Sequence, residues 1–408
     1  MRSPRLAVIS DTVDHTDGVA IGLRRLVAAS TRAGHAMTLI GPENPDVVDD
    51  VVRMPRRFTA NLPFYAEYAW TIPELAPLAT YLAHSADILQ IATPGPMGIA
   101  GLLVARMIGM PVIAQYHTEV AEYAARMTGV PMMRGVVAPL VGMVYRRAEL
   151  CLAPSDAVAQ RLLAMGVAHD RIQRIPRGVD LGLFTPAKRD RAVLARYGVK
   201  AGPVALYVGR VSREKNMHGL LAAWAQVRAS RPTAQLVIVG DGPVRSSCTA
   251  PGVICTGSLY DDDLARVFAS ADVFAFASET ETFGNVVVEA AASGLPAVVM
   301  AGGAAHEHVV DGETGFVCRD VDGFAASLGR LLDDPQLRSV QGPRARERAT
   351  SYDLDRAMRA SWVIYEALHA RRAAAWLVKR AARRHRVMRS IYGRLDARRE
   401  PLRLREAS

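Results

Sequence analysis

At 408 residues the chain exceeds the size at which one hydrophobic core stops growing, so two domains are expected. Half the residues are apolar and 22% are charged, and no window holds the run of about 18 to 20 apolar residues that a membrane span needs. The formal net charge of +10 is local: residues 371–408 hold thirteen Lys and Arg against three Asp and Glu, leaving 37 of each sign for residues 1–370. A neutral body without a recognised module argues against nucleic-acid binding.

The short apolar run Leu6 to Ile9 is too brief for a secretory leader. Cys151, Cys248, Cys255 and Cys318 are scattered, with neither metal spacing nor a disulfide framework. Both features fit a cytoplasmic protein. Strand-like runs follow at Leu6–Ser10, Met37–Gly41, Ile88–Ala92, Val112–Tyr116, Leu150–Ser155 and Ile172–Pro176. A second set occupies Val204–Gly209, Gln235–Gly240, Gly252–Thr256, Val273–Ser278, Ala297–Met300 and Gly315–Val317. Runs of about five residues separated by helix-length segments read as βαβ units, hence parallel sheets. Two sets predict an α/β protein of two Rossmann-like domains, with a hinge from Arg177 through Lys188 where Gly and Pro interrupt both patterns. The expected boundaries are 1–178 and 179–354, then a helix over 355–370 with Met358, Trp362, Tyr365 and Leu368 on one stripe. Residues 371–408 form a basic tail in which Trp376, Met388, Ile391 and Tyr392 recur near helical spacing. That pattern reads as an element attracted to an anionic membrane surface, with a disordered extension as the alternative.

Two segments carry the chemistry. In Ser278 to Pro296 a strand end leads through Phe283-Gly284-Asn285 into a helix, with Glu281 before the turn and Glu289 after it. Amides freed at a helix start bind anions, and the two carboxylates offer acceptors for hydroxyl groups. Two glutamates at this spacing also fit an ordinary solvated loop and helix. In Val208 to Asn216, at a strand's C-terminal edge, Arg210 and Lys215 are placed to converge on a diphosphate in the crevice where open α/β sheets bind ligands. Surface charges beside a helix start are the competing account. Asp261-Asp262-Asp263 precedes Leu264 and Val267, and reads as an acidic helix N-terminus rather than a metal-binding loop.

The sequence resembles the retaining family-four glycosyltransferases. The resemblance rests on "DGVAIGLRRL" from Asp17, "ATPGPMGIAG" from Ala92, "YHTEVAEYA" from Tyr116, "APSDAV" from Ala153, "IPRGVDLGLFTP" from Ile175, "VGRVSREKN" from Val208, the Glu281-x7-Glu289 string and "DGETGFV" from Asp311. It covers nearly all of residues 5–370. It implies the GT-B architecture: an acceptor domain and a nucleotide-sugar domain facing a cleft, with a C-terminal helix crossing back to the first domain. It implies that Gly18, on the loop after the first strand, brings an amide to the donor phosphate. Arg210 and Lys215 would grip the diphosphate, and Glu281 would hold sugar hydroxyls beside the amides of Phe283, Gly284 and Asn285. Glu289 would accept from the ribose, and His117 would sit at the reaction centre. The implied reaction moves a hexose from a UDP- or GDP-sugar with retention, through a front-face ion-pair state and without metal or other cofactor. The "DGVA" and "YHTEV" strings look like the subset acting on lipid or lipid-linked envelope acceptors, at the inner face of the cell membrane. A soluble natural product or polyol acceptor, a GT-B epimerase and a non-catalytic sugar-binding protein are the alternatives. "GDGPVR" from Gly240 lacks the third glycine of a dinucleotide fingerprint, which argues against a dehydrogenase.

Overall fold

The computed structural model describes residues 2–374 apart from 15–17, 45–46, 48, 63–64, 118, 122–124, 126–129 and 131. The basic tail beyond residue 374 lies outside the described residues. In the first half the strands are β1 (Leu6–Ile9), β2 (Met37–Pro42), β3 (Val52–Met54), β4 (Arg56–Leu62), β5 (Tyr65–Pro73), β6 (Ile88–Ile91), β7 (Val112–Gln115), β8 (Leu150–Ala153) and β9 (Ile172–Arg174). In the second half they are β10 (Val204–Val208), β11 (Gln235–Val239), β12 (Val253–Gly257), β13 (Val273–Phe276), β14 (Ala297–Met300) and β15 (Gly315–Cys318).

These strands build a seven-stranded sheet, β3-β2-β1-β6-β7-β8-β9, and a six-stranded sheet, β12-β11-β10-β13-β14-β15. All pairings within the two sheets are parallel. β1, β6, β7, β10, β11, β13 and β14 are buried along their whole length, as helices covering both faces require. Each sheet therefore sits inside its own apolar core, and the chain has the expected α/β, two-domain architecture. The sequence reading missed β3 and the β4–β5 hairpin. The hairpin pairs antiparallel as a separate two-stranded ribbon, outside the βαβ alternation on which that reading relied.

The chain passes between the domains twice, and the two passages pair. Val179 N–H donates to Tyr352 O at 2.7 Å, and Leu354 N–H donates to Val179 O at 3.2 Å. A Cβ on Gly178 would lie 2.3 Å from Leu354 Cα, so only glycine lets the passages come this close. The helix spanning 354–374 then lies on the first domain, where Met358, Trp362 and Tyr365 join Leu6, Val8 and Leu23 in one core. Trp362 is buried, stacks on His35 and donates its indole N–H to Ser30 Oγ at 3.1 Å. Truncating a buried aromatic of this size costs about 3–5 kcal/mol, enough to detach the helix.

Contacts across the cleft hold the domains together. Asp156 N–H and Ala157 N–H, which open the helix Asp156–Ala164, donate to Glu307 at 3.3 and 3.2 Å. A carboxylate from the second domain thus satisfies the free amides of a first-domain helix, where the helix dipole also favours it.

Candidate active site

Ligand crevices in open parallel sheets form where neighbouring connections leave in opposite directions. In the second sheet that point falls between β10 and β13, and the segments after these strands carry most of the candidate residues. Tyr207 OH donates to Arg210 O at 2.8 Å, fixing the turn after β10. Asn216, at φ 55°, accepts from Gly219 N–H at 3.2 Å to cap the helix Met217–Ser230, and its amide donates to Ala277 O at 3.2 Å. Thr280 Oγ1 donates to Glu214 O at 3.0 Å. These bonds draw the two segments together, and Lys215 Nζ meets Glu281 Oε1 at 2.5 Å. Ser278 Oγ donates to the same carboxylate oxygen at 2.9 Å. The Lys215 and Glu281 side chains are only 15% and 14% exposed, so each depends on the other's charge.

Arg210 is arranged differently. Its Nε lies 3.9 Å from Glu214 Oε1, and Glu214 also accepts from Ser212 Oγ at 2.5 Å. The structure thus pairs Lys215 with Glu281 and Arg210 with Glu214. Asp262 pairs with Lys188 and Arg266 in the first turn of the helix Asp261–Ser270, as an acidic helix N-terminus does.

Gly284 opens the helix Asn285–Ala292 at φ 89°, with Ala305 3.2 Å from the place a Cβ would take. The N–H groups of Phe283, Gly284 and Asn285 have no acceptor among the described residues, so three donors point from a helix start. The Phe283 carbonyl is taken instead by His308 Nε2 at 2.6 Å, with His308 Nδ1 against Tyr352 OH at 3.0 Å. Burial pushes His308 down to about 4, so the neutral ring donates through Nε2 and accepts through Nδ1. Glu289 sits in the second turn of this helix, buried, and burial raises its pKa to about 7 against the pull of Arg25. Arg25 comes from the first domain, on the helix Gly18–Arg32; its guanidinium lies 3.5 Å from Glu289 and 3.7 Å from Asp261.

Two further groups of the first half face this cluster. His117, just beyond β7, places Nδ1 against the guanidinium of Arg177. A guanidinium only donates, so Nδ1 accepts and the ring proton is on Nε2, which has no partner among the described residues. Burial and the Arg177 charge hold His117 well below the ordinary histidine range. Thr282 Oγ1 donates to His117 O at 2.7 Å, bringing the Glu281 segment onto the first domain. Arg177 is half-buried, lies 5.8 Å above the Phe283 ring, and is pushed down to about 10 by desolvation while the Glu281 charge opposes the shift. Gly18 differs from its expected place: it is the first residue of the helix Gly18–Arg32 rather than a loop residue. Its amide therefore belongs to a helix N-terminus.

The arrangement joins anion donors, two cationic side chains, two carboxylates and a neutral imidazole around one cleft. Sequence reasoning missed Arg177 and Arg25. Both stand in the strings "IPRGVD" and "DGVAIGLRRL", yet only folding shows that they cross to the other domain.

Comparison with known proteins identifies the family. Residues 16–183 match the model described as Glycosyltransferase Family 4, and residues 202–334 match Glycosyl transferases group 1. A GDP-mannose-dependent alpha-mannosyltransferase of Mycobacterium tuberculosis is 32% identical over 324 residues, covering 77% of this chain and 83% of that protein. The chain belongs to glycosyltransferase family 4. An alpha-monoglucosyldiacylglycerol synthase of Streptococcus pneumoniae is 27% identical over 317 residues, covering 72% of this chain and 70% of that protein. Among solved structures, the sucrose-phosphate synthase of Thermosynechococcus elongatus aligns with a TM-score of 0.73 at 23% identity, over 90% of this chain and 99% of that one. This likeness establishes the GT-B fold of the family-four enzyme. Like those relatives, the chain is a glycosyltransferase that uses a nucleotide sugar.

Proposed function

We propose that this glycosyltransferase moves a hexose from a UDP- or GDP-sugar to a hydroxyl of a lipid or lipid-linked envelope acceptor, with retention and without a metal. The largely enclosed Lys215–Glu281 pair, beside three open amides at the Gly284 turn, is the observation that carries the reading. In it the donor diphosphate lies on the amides of Phe283, Gly284 and Asn285, with Lys215 and Arg210 supplying the positive charge a divalent cation would otherwise bring. Glu281 holds hydroxyls of the donor sugar, and Glu289 accepts from the ribose. Gly18 brings its amide to the phosphate from the first domain, and His117 stands at the reacting face. As the glycosidic bond to the diphosphate breaks, charge grows on the leaving oxygen, where these groups are already oriented. The acceptor hydroxyl attacks from the same face, and the departing phosphate oxygen takes its proton.

Residues 1–178 then serve the acceptor and 179–354 the donor, the helix at 355–370 ties the two, and the tail 371–408 attaches the enzyme to the anionic inner face of the cell membrane. The GDP-mannose and diacylglycerol in the names of the two relatives support this choice of donor and acceptor class.

The test is a thermal-shift screen with UDP, GDP and ADP, followed by donor-sugar hydrolysis and assignment of the product anomer. A ligand at 100 times its Kd adds about 2.7 kcal/mol of stability, a readily measured shift. Glu281→Ala is expected to keep the nucleotide shift and lose turnover. An inverted product, or turnover near the parent rate in Glu281→Ala, overturns the reading.

A further inference from the structure

The passage between the domains brings a charged side chain to His117. Arg177 stands immediately before Gly178, whose close approach to Leu354 fixes the backbone at this point. Its guanidinium meets the Nδ1 of His117, 60 positions earlier in the chain, and lies over the ring of Phe283. Among the described residues Arg177 has no carboxylate at ion-pair distance, whereas Lys215 has Glu281, Arg161 has Glu119 and Arg25 has Glu289. A brace between domains gains from an ion pair or an apolar contact. A guanidinium drawn partly out of water without a counter-charge costs desolvation energy instead. What it supplies here, and an apolar side chain would not, is N–H donation to a ring nitrogen.

His117 is held on several sides. Thr282 of the second domain donates its hydroxyl to the His117 carbonyl at 2.7 Å, and both residues are buried. Two residues further on, Glu119 accepts from Tyr116 OH at 3.0 Å and pairs with Arg161, so the chain is pinned beyond the ring as well. With Nδ1 occupied by Arg177, the ring can neither turn over nor move its proton without breaking that contact. The proton stays on Nε2, which is buried and meets no acceptor among the described residues. Leaving a buried hydrogen-bond donor unmet costs about 1–3 kcal/mol, which a bound substrate oxygen would recover. The ring's one lone pair faces a cation, so the same arrangement makes His117 a poor base.

We propose that Arg177 is a positioning residue for the transfer: by donating to Nδ1 it fixes the His117 ring with Nε2–H as the group offered to the substrates, so that His117 acts as a hydrogen-bond donor and not as the base for the acceptor hydroxyl. The proposal rests on the reading of His117 at the reacting face.

The test is donor-sugar hydrolysis by the full chain, with UDP-glucose and GDP-mannose as probes, in a cycle of Arg177→Met, His117→Asn and the double variant. Asparagine keeps an acceptor near the Nδ1 position and lacks the Nε2–H group. Each single variant is expected to lower kcat at least about tenfold, with KM within about threefold of the parent. The double variant is expected to fall within about twofold of His117→Asn, because Arg177 acts through the ring. Arg177→Lys keeps an N–H donor for Nδ1 and should recover at least about threefold over Arg177→Met. Losses that multiply in the double variant overturn the proposal. So does a raised KM as the main effect of Arg177→Met, which would make Arg177 a direct substrate contact. A parent rate that falls at acid pH through the ordinary histidine range, with the fall absent in His117→Asn, would make His117 a base and overturns the donor role. Ring-nitrogen NMR of the ligand-free chain, assigned from the signals missing in His117→Asn, gives a second readout that needs no turnover. The parent is expected to show one ring form protonated on Nε2, and Arg177→Met both tautomers; the same form in both chains overturns the proposal. A parental rate in His117→Asn removes His117 from the reacting face and the proposal with it. A lowered rate in His117→Asn with losses that multiply leaves that placement standing and removes only the role of Arg177.

Discussion

Replacing Lys215 by methionine removes the cation from the Glu281 carboxylate while keeping most of the side-chain volume. At the 2.5 Å separation the gross attraction is about 6–7 kcal/mol at an effective dielectric of 20. The net loss is smaller. Breaking a fully buried pair costs about 3–5 kcal/mol. Here Ser278 still donates to Glu281, and the charge of Arg177 is close enough to be felt, so about 2–3 kcal/mol is expected. In a domain of this size that lowers Tm by about 5–10 °C. The double variant Lys215→Met with Glu281→Gln removes the stranded charge and should recover stability to within about 1 kcal/mol of the parent. Turnover should follow a different course. Without Lys215 the departing diphosphate loses a positioned cation, worth about a hundred- to a thousandfold in rate, and the double variant does not restore it. Denaturant unfolding and donor hydrolysis on the three variants separate the two roles. Recovery of turnover together with stability in the double variant would refute the reasoning, since it would make the pair a structural brace alone.

Three other outcomes are expected. Glu289 titrates near 7 in the folded protein, above its unfolded value, so its contribution to stability is complete at acid pH and is lost as pH rises through about 7. The ionised form is the better acceptor for ribose hydroxyls, so nucleotide affinity measured by calorimetry should rise from about pH 6 to 8, and this rise should vanish in Glu289→Gln. Gly284→Ala forces a left-handed backbone onto a residue with a Cβ, at about 1–2 kcal/mol, and should weaken nucleotide binding more than it lowers Tm. Arg25→Met removes the cross-domain charge beside Glu289 and should move the pH dependence of nucleotide binding upward, whereas an unmoved profile would show that Arg25 does not act on Glu289.

The α/β class and its doubling were legible because the central parallel strands are buried on both faces and read as continuous apolar runs. Val204–Val208 and Gln235–Val239 are plain examples. The β4–β5 ribbon was not legible. Residues 54–70 combine arginines and aromatics, and the structure leaves Phe58, Trp70 and Ile72 exposed on a ribbon apart from both sheets. The Gly284 turn and its two glutamates were visible as a string, because a glycine between strand and helix has few physical uses. That Lys215 pairs with Glu281 and Arg210 with Glu214 was not visible, because the choice depends on how Asn216 and Thr280 draw two loops together.

The sequence by itself determined what is local: the strand runs, the glycine-opened helix at 284, and the confinement of net charge to residues 371–408. Periodicity and backbone freedom act over a few residues, so a linear reading recovers them. Only the tertiary structure decided which distant side chains meet: Arg25 crosses to Glu289 of the second domain, and Arg177 lies against the neutral His117 ring and over Phe283, between residues 60 or more positions apart. Burial then sets their protonation: Glu289 is raised toward neutrality and His117 is kept uncharged, because desolvation depends on what the fold packs around a group.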